Sequence, residues 1–178
     1  MWRDRQFNSL CSRYSDDLFR FTLALLANRS DAEEATQDVL FKLWRQTGLI
    51  PLRNPRAWIF RTARNQCLDI LRERARRQGK VTEAPDYLLE QPDDFQPHPS
   101  NGADAELLRR KLDSALGQLP EIQRSIFVLY EVNGLRYREI ALVLDIPLNT
   151  TRVYLNRARE NLQKTLTKES SWIRHYIS

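Results

Sequence analysis

Apolar residues recur at three- and four-residue spacing along most of the chain, and β-branched residues never alternate with polar ones over a useful length. That pattern predicts an all-α fold. Leu10, Tyr14, Leu18, Phe21 and Leu25 form one stripe, predicting a helix from Phe7 to Leu26 with Asp16-Asp17 as a candidate break. Asn28-Arg29-Ser30-Asp31 reads as a turn, in which Ser30 or Asp31 can cap a second helix from Asp31 to Arg45. In that helix Ala35, Val39, Leu40, Phe41, Leu43 and Trp44 spread over roughly 240°, whereas one packed face needs a stripe of about 100° or somewhat more. Two readings fit the excess. Either the helix is sunk between several neighbours, or part of its apolar arc awaits a partner, with Glu34, Asp38, Lys42 and Arg45 at the rim.

Gly48 to Pro55 reads as a loop, and Ala57 to Arg77 as a long helix closing at Gly79. Ile59, Ala63, Cys67, Ile70 and Leu71 mark its expected buried side, and Arg61, Arg64, Asn65, Leu68 and Arg72 its expected open side. Trp58 and Phe60 lie among these cations. They suit either core packing or stacking of unpaired bases, which contributes about 1–3 kcal/mol per base. Val81 to Asn101 holds four prolines, five acids and little periodicity, the composition of a linker. Its Tyr87, Leu88, Leu89 and Phe95 are unusual in a pure spacer. Helical spacing resumes from Asp104 to Leu119 and again from Glu121 to Val132, which ends at Asn133-Gly134. The chain thus divides into residues 1–80, a flexible acidic linker at 81–103, and residues 104–178. At the end, Trp172, Ile173, Tyr176 and Ile177 form an apolar edge able to pack back on the last helix.

The densest information lies in LRYREIALVLDIPLNTTRVYLNRARENL, Leu135 to Leu162. Ile140, Ala141 and Leu144 mark one short helix, and Asp145-Ile146-Pro147 interrupts it, because proline has no N–H to continue the ladder. A second helix follows with Val153, Leu155, Ala158 and Leu162 inward. Helix, tight turn, and a helix bearing hydroxyl, amide and guanidinium groups is the helix-turn-helix arrangement. Arg can fork onto guanine in a major groove, and Asn or Thr can reach base edges or phosphates. The plainer alternative is a helical hairpin with a solvated basic face. Arg136 stands where a Ser, Thr or Asp cap is expected, so another group or water must serve there.

Composition narrows the function classes. The chain has 178 residues and 42% hydrophobic content, with no apolar run long enough for a membrane span. The charged N-terminus lacks a secretory core segment, which points to the cytoplasm. Cys11 and Cys67 each fall within apolar helical patterns, as buried free thiols do. No metal-ligand spacing occurs, no cofactor is implied, and no acidic or His-centred constellation suggests an enzyme or a small-molecule substrate. Net charge is +5, unevenly distributed. Residues 53–80 hold nine basic residues against Asp69 and Glu73, whereas residues 82–102 hold five acidic and no basic ones. A cation block of that size implies a polyanion partner whose affinity falls as salt rises.

Three segments in this order resemble the bacterial RNA polymerase sigma factors of the extracytoplasmic-function group. DAEEATQDVLFKLWR resembles the family's core-binding helix, NPRAWIFRTARNQCLDILRERARR its promoter-melting and minus-ten-reading helix, and LGQLPEIQRSIFVLYEVNGLRYREIALVLDIPLNTTRVYLNRARENL its minus-thirty-five-reading domain. The resemblance implies two small helical domains and a transcription initiation factor. Glu34, Gln37, Asp38 and Phe41 would face the clamp helices of the largest subunit of core RNA polymerase. Arg61, Arg64 and Asn65 would lie on the minus-ten helix, with Arg53 and Asn54 bordering the pocket for a flipped base. Asn149, Thr150, Thr151, Arg152, Tyr154, Leu155 and Arg157 would lie along the upstream major groove or its phosphates. Promoter DNA and an anti-sigma factor, often membrane-attached, would be the further partners. Asp38 stands where Glu is usual and Asn149 where Gly is common. A helix-turn-helix regulator acting without polymerase is the rival reading.

Overall fold

The computed structural model describes residues 2–47, 54–78 and 103–176, with side chains for 3–47, 54–78 and 110–167. Among these the structure is helical throughout: α1 Trp2–Leu26, α2 Arg29–Gln46, α3 Pro55–Arg77, α4 Ala103–Gly117, α5 Glu121–Phe127, a π-helical turn Val128–Val132, α6 Tyr137–Leu144 and α7 Leu148–Tyr176. The linker up to residue 102, Gly79, and the side chains of the C-terminal apolar edge lie outside the described residues.

The first three helices form one packed unit. Leu18, Phe21 and Leu25 of α1 meet Ala35, Val39 and Leu43 of α2 and Ile59, Phe60, Ala63 and Cys67 of α3, all fully buried. Phe21 and Phe60 pack edge to face, with centroids 5.4 Å apart. Of the two roles open to Phe60, core packing is the one it fills. α1 runs unbroken through Asp16-Asp17, because the stripe Tyr14, Leu18, Phe21 stays in register across the two acids. It ends at Ala27, whose φ of 51° turns the chain.

The cap of α2 is Asn28, whose side chain accepts from Asp31 N at 3.0 Å. This corrects the expectation of Ser30 or Asp31, because the helix begins earlier, at Arg29. Asp31 instead pairs with Arg74 of α3, which also donates to Leu26 O at 3.0 Å. That contact ties the α1–α2 corner to α3. Asn54 caps α3 by accepting from Ala57 N at 3.1 Å, with Pro55 at the first helical position. There the missing N–H costs nothing.

The second unit starts at α4. Ala115, Leu116 and Leu119 pack on Ala158 and Leu162 of α7. The helix predicted from Glu121 to Val132 is α-helical only to Phe127. It then widens, with Asn133 N donating to Val128 O at 3.0 Å and Leu135 N to Leu129 O at 2.8 Å. Gly134, at φ 63°, completes the turn into α6. At Arg136 no side chain caps the first-turn amides; Glu139 instead takes the amide of Arg136 itself, its carboxylate accepting from Arg136 N at 2.9 Å. α6 closes on Asp145 in the left-handed region, φ 55° and ψ 47°. α7 then begins directly after Pro147, completing the helix-turn-helix.

Buried residues of the two units are continuous. Ile126, Leu129, Leu135, Ile140, Val143 and Leu155 join the same cluster as Leu18, Phe21 and Phe60. Leu68, expected on the open side of α3, is buried at 2% exposure, while Ile70 and Leu71 are only half-buried. The helix is covered on more than one side, so its buried arc is displaced from the single stripe that spacing suggests.

Candidate nucleic-acid and partner surfaces

Three surfaces carry the residues singled out by sequence. The first is on α2. Ala32, Ala35, Val39 and Leu43 turn inward, and this narrow stripe satisfies the core. The rest of the wide apolar arc stays outside: Phe41 is 58% exposed and Trp44 41%. Their rings stack with centroids 6.2 Å apart and planes 24° from parallel. The Arg3 guanidinium lies 4.6 Å from the Trp44 ring, a cation–π contact that holds the indole in place. Glu34 and Gln37 are exposed two turns and one turn before Phe41, on the same face. Asp38 is half-buried and accepts from Gln66 Nε2 of α3 at 2.8 Å. Gln66 Oε1 in turn accepts from Lys42 Nζ at 2.5 Å. Trp44 belongs with this surface and was missed as a site residue, although the 240° arc already contained the signal.

The second surface is α3. Arg61 and Asn65 are exposed, one turn apart, with half-buried Trp58 beside them. Asn54 spends its side-chain oxygen on the cap of α3 and is half-buried. Arg53 lies outside the described residues. Arg64 turns toward the second unit. Its Nε and Nη2 fork onto the Glu121 carboxylate at 3.0 and 2.6 Å, with Arg64 12% exposed and Glu121 1%. Ser125 Oγ donates to the same carboxylate at 2.5 Å. Arg61 donates to Leu142 O and Arg56 to Asn133 O, both in the second unit. From the other side, Arg124 reaches Leu25 O of α1 at 3.1 Å. Burial lowers its affinity for the proton and nearby Glu121 opposes that shift. Two residues far apart in sequence, Arg64 and Glu121, leave no local signal of their pairing.

The third surface is the outer face of α7. Asn149, Arg152, Val153, Asn156 and Arg157 are exposed at helical spacing. Arg152 lies 5.8 Å from the Tyr137 ring and Arg157 5.9 Å from the Tyr154 ring, so both guanidinium groups are aimed by aromatic neighbours. Tyr137 is hydrogen-bonded to Tyr130, which raises its hydroxyl above the ordinary tyrosine range. Thr150 and Tyr154 are half-buried.

Two expected groove residues are corrected. Thr151 and Leu155 are fully buried, Leu155 in the main cluster and Thr151 with its hydroxyl on Pro147 O at 3.2 Å. Conversely Val153, expected inward, is 47% exposed. The helix starts at Leu148, and counting its face from Asn149 gives 149, 152, 153 and 156, which puts 151 and 155 on the opposite side. Asn156, missed by sequence, falls on the outer face by the same count. A face of two guanidinium groups, two amides and one methyl-bearing side chain carries the donors and apolar contact that major-groove edges take.

Comparison with known proteins decides the family. The sigma-70 region 2 model matches residues 10–77, covering α1 to α3, and the sigma-70 region 4 model matches residues 109–162, covering the helix-turn-helix. The chain is 31% identical over 166 residues to the ECF RNA polymerase sigma factor SigE of Mycolicibacterium smegmatis, covering 93% of this chain and 63% of that one. It is 28% identical to the ECF RNA polymerase sigma factor RpoE of Cereibacter sphaeroides, covering 90% and 86%.

The chain belongs to the extracytoplasmic-function group of the sigma-70 family.

Its fold is likewise similar to that of RpoE from Bartonella quintana, solved in complex with the anti-sigma factor NepR. The TM-score is 0.72 at 24% identity, over 92% of this chain and 98% of that one. The α2 and α3 surfaces therefore lie in sigma region 2, and the α7 face in sigma region 4. Among the described residues no group of His, Cys, Asp and Glu converges as metal ligands, and no helix is long and apolar enough to cross a membrane.

Proposed function

We propose that this sigma-70 family member binds core RNA polymerase in the cytoplasm and directs it to a specific set of promoters, under the control of an anti-sigma factor. The stacked Phe41–Trp44 pair, rimmed by Glu34, Gln37 and Asp38, meets the clamp helices of the largest subunit. It is the single observation that carries the reading, since an exposed aromatic pair beside a complete core calls for a protein partner. Arg61, Arg64 and Asn65, with Arg53 and Asn54 at the head of α3, take the minus-ten strand. Arg152, Arg157, Asn149 and Asn156, flanked by Thr150 and Tyr154, take the minus-thirty-five duplex.

The protein performs no bond chemistry. It lowers the free energy of the melted promoter by holding bases out of the stack, which offsets a few kcal/mol for each extruded base. Two tethered contacts, joined by the 81–103 linker between units 1–80 and 104–178, raise effective concentration, so neither unit alone needs high affinity.

Transcription by purified core polymerase and this chain on a genomic promoter library tests the reading. Discrete start sites sharing two upstream elements are expected. Promoter-blind initiation across the library contradicts it.

A further inference from the structure

The outer face of α7 carries one side chain that the fold does not use. Val153 stands in the second turn of the helix, 47% exposed, and belongs to neither apolar cluster of the described residues. Helix formation does not explain it, since Val loses side-chain freedom in a helix and Ala would serve better there. Its exposed neighbours are polar. Asn149 and Asn156 lie about one turn before and one turn after it, and Arg152 and Arg157 flank it. Both cations have rings of their own to lean on, Tyr137 for Arg152 and Tyr154 for Arg157. Val153 is thus an apolar centre ringed by hydrogen-bond donors. A single exposed valine is ordinary on a free surface. One at the middle of a reading face loses its water when a duplex docks, so the group it then meets decides the energy.

Base edges present donors and acceptors to a major groove, with one apolar exception, the C5-methyl of thymine. Opposite any other base, Val153 would cover a donor or acceptor and offer it no partner. Opposite thymine it covers a methyl. We propose that Val153 is a specificity-determining residue of the upstream contact: it packs on the methyl of one thymine in the minus-thirty-five element and selects that base. This rests on the reading of the α7 face as a duplex-binding surface. The side chain suits the task because it is stiff. A β-branched residue in a helix holds one main χ1 rotamer, so little freedom is lost on contact. Burial of one methyl corresponds to about a fourfold change in affinity. Replacing the base should weaken binding further than removing its methyl, because a wrong edge also leaves polar groups unpaired.

The probe is a promoter duplex taken from the start-site library, with each thymine of its upstream element replaced in turn by deoxyuridine, which lacks only the methyl. Affinity is measured by competition for core polymerase loaded with the full-length chain, wild type or Val153→Ser. In the wild-type complex one thymine should stand out, its deoxyuridine form binding about fourfold more weakly. The Val153→Ser complex should no longer distinguish the two forms at that position, while its response at every other thymine stays as in wild type. Comparing the two changes singly and together isolates the contact from any effect of deoxyuridine on duplex shape. If Val153→Ser does not fold, Val153→Ala, the better helix former, decides by the same loss. A wild-type complex that prefers the element but is indifferent to deoxyuridine at every thymine overturns the contact alone. So does a sensitivity that persists in the variant. A wild-type complex that binds equally well when the upstream element is scrambled overturns the reading of the α7 face, and the contact with it.

Discussion

Replacing Phe41 by Ala separates partner binding from folding. The ring is 58% exposed, so the fold has already taken somewhat less than half of its burial. Burying a whole Phe side chain is worth about 1.5–3 kcal/mol, which leaves about 1–2 kcal/mol for a partner to gain. Phe41→Ala should therefore weaken core-polymerase affinity by about 5- to 30-fold. Stability should change by less than about 0.5 kcal/mol, since the position is exposed and Ala is the better helix former. Val39→Ala is the contrast. That side chain is fully buried, so its truncation should lower the melting temperature and affect polymerase affinity only through folding. Competition with labelled wild-type chain for core polymerase gives the affinity, and thermal melting by circular dichroism gives the stability. The combined Phe41→Ala and Trp44→Ala change should fall short of additivity, because the two rings stack on each other. Core affinity within about twofold of wild type for Phe41→Ala would refute the reasoning, because a hot-spot aromatic costs more than that.

Arg152→Ala should weaken upstream duplex binding and lower its salt slope by about one if the side chain meets phosphate, or relax preference at one base pair if it meets guanine. Start-site logos and salt titration tell these apart. Asn65→Ala should change the minus-ten logo and leave the upstream logo intact. Phe60→Ala should cost about 3–5 kcal/mol in denaturant unfolding, because it empties the edge-to-face contact with Phe21. Burial, with the Glu121 charge adding to it, pushes the Cys67 thiol well above its ordinary range, while Arg74 opposes the shift. The folded state thus keeps a proton that the unfolded state loses. The resulting stability is fully present below the ordinary thiol range of about 8.5 and declines as pH rises beyond it, by up to about 1.4 kcal/mol per pH unit. The stability advantage of wild type over Cys67→Ala should shrink across that range, and Cys67 should resist alkylation until the protein is unfolded.

Helices were legible wherever a single face was buried. Leu10 to Leu25 and Ile140 to Leu144 show this, since a repeat of three and four residues leaves little choice of element. Faces were less legible than elements. Of the stripe expected inward on α7, Leu155, Ala158 and Leu162 are buried, whereas Val153 lies on the arc of Asn149, Arg152 and Asn156 and is exposed. Leu68 was misplaced because α3 is covered from more than one direction, and no single moment describes such a helix. Phe60 and Phe41 have the same composition and similar spacing, yet one fills the core and the other stands outside. The difference comes from what packs against each helix. The Arg64–Glu121 fork and the Arg124 contact to Leu25 O join residues far apart in the chain, beyond the reach of local patterning. The site was legible mainly as charge and amide groups on two helices. The aromatic partners that aim Arg152 and Arg157 needed the fold.

The central claim is that one chain joins a polymerase-docking surface to two promoter-reading surfaces. Its most direct test is association of the purified, inhibitor-free chain with core RNA polymerase, measured by fluorescence anisotropy of a labelled chain. Saturable one-to-one binding, lost progressively with Phe41→Ala and with Trp44→Ala, is the predicted result. No association at any attainable concentration would contradict the account.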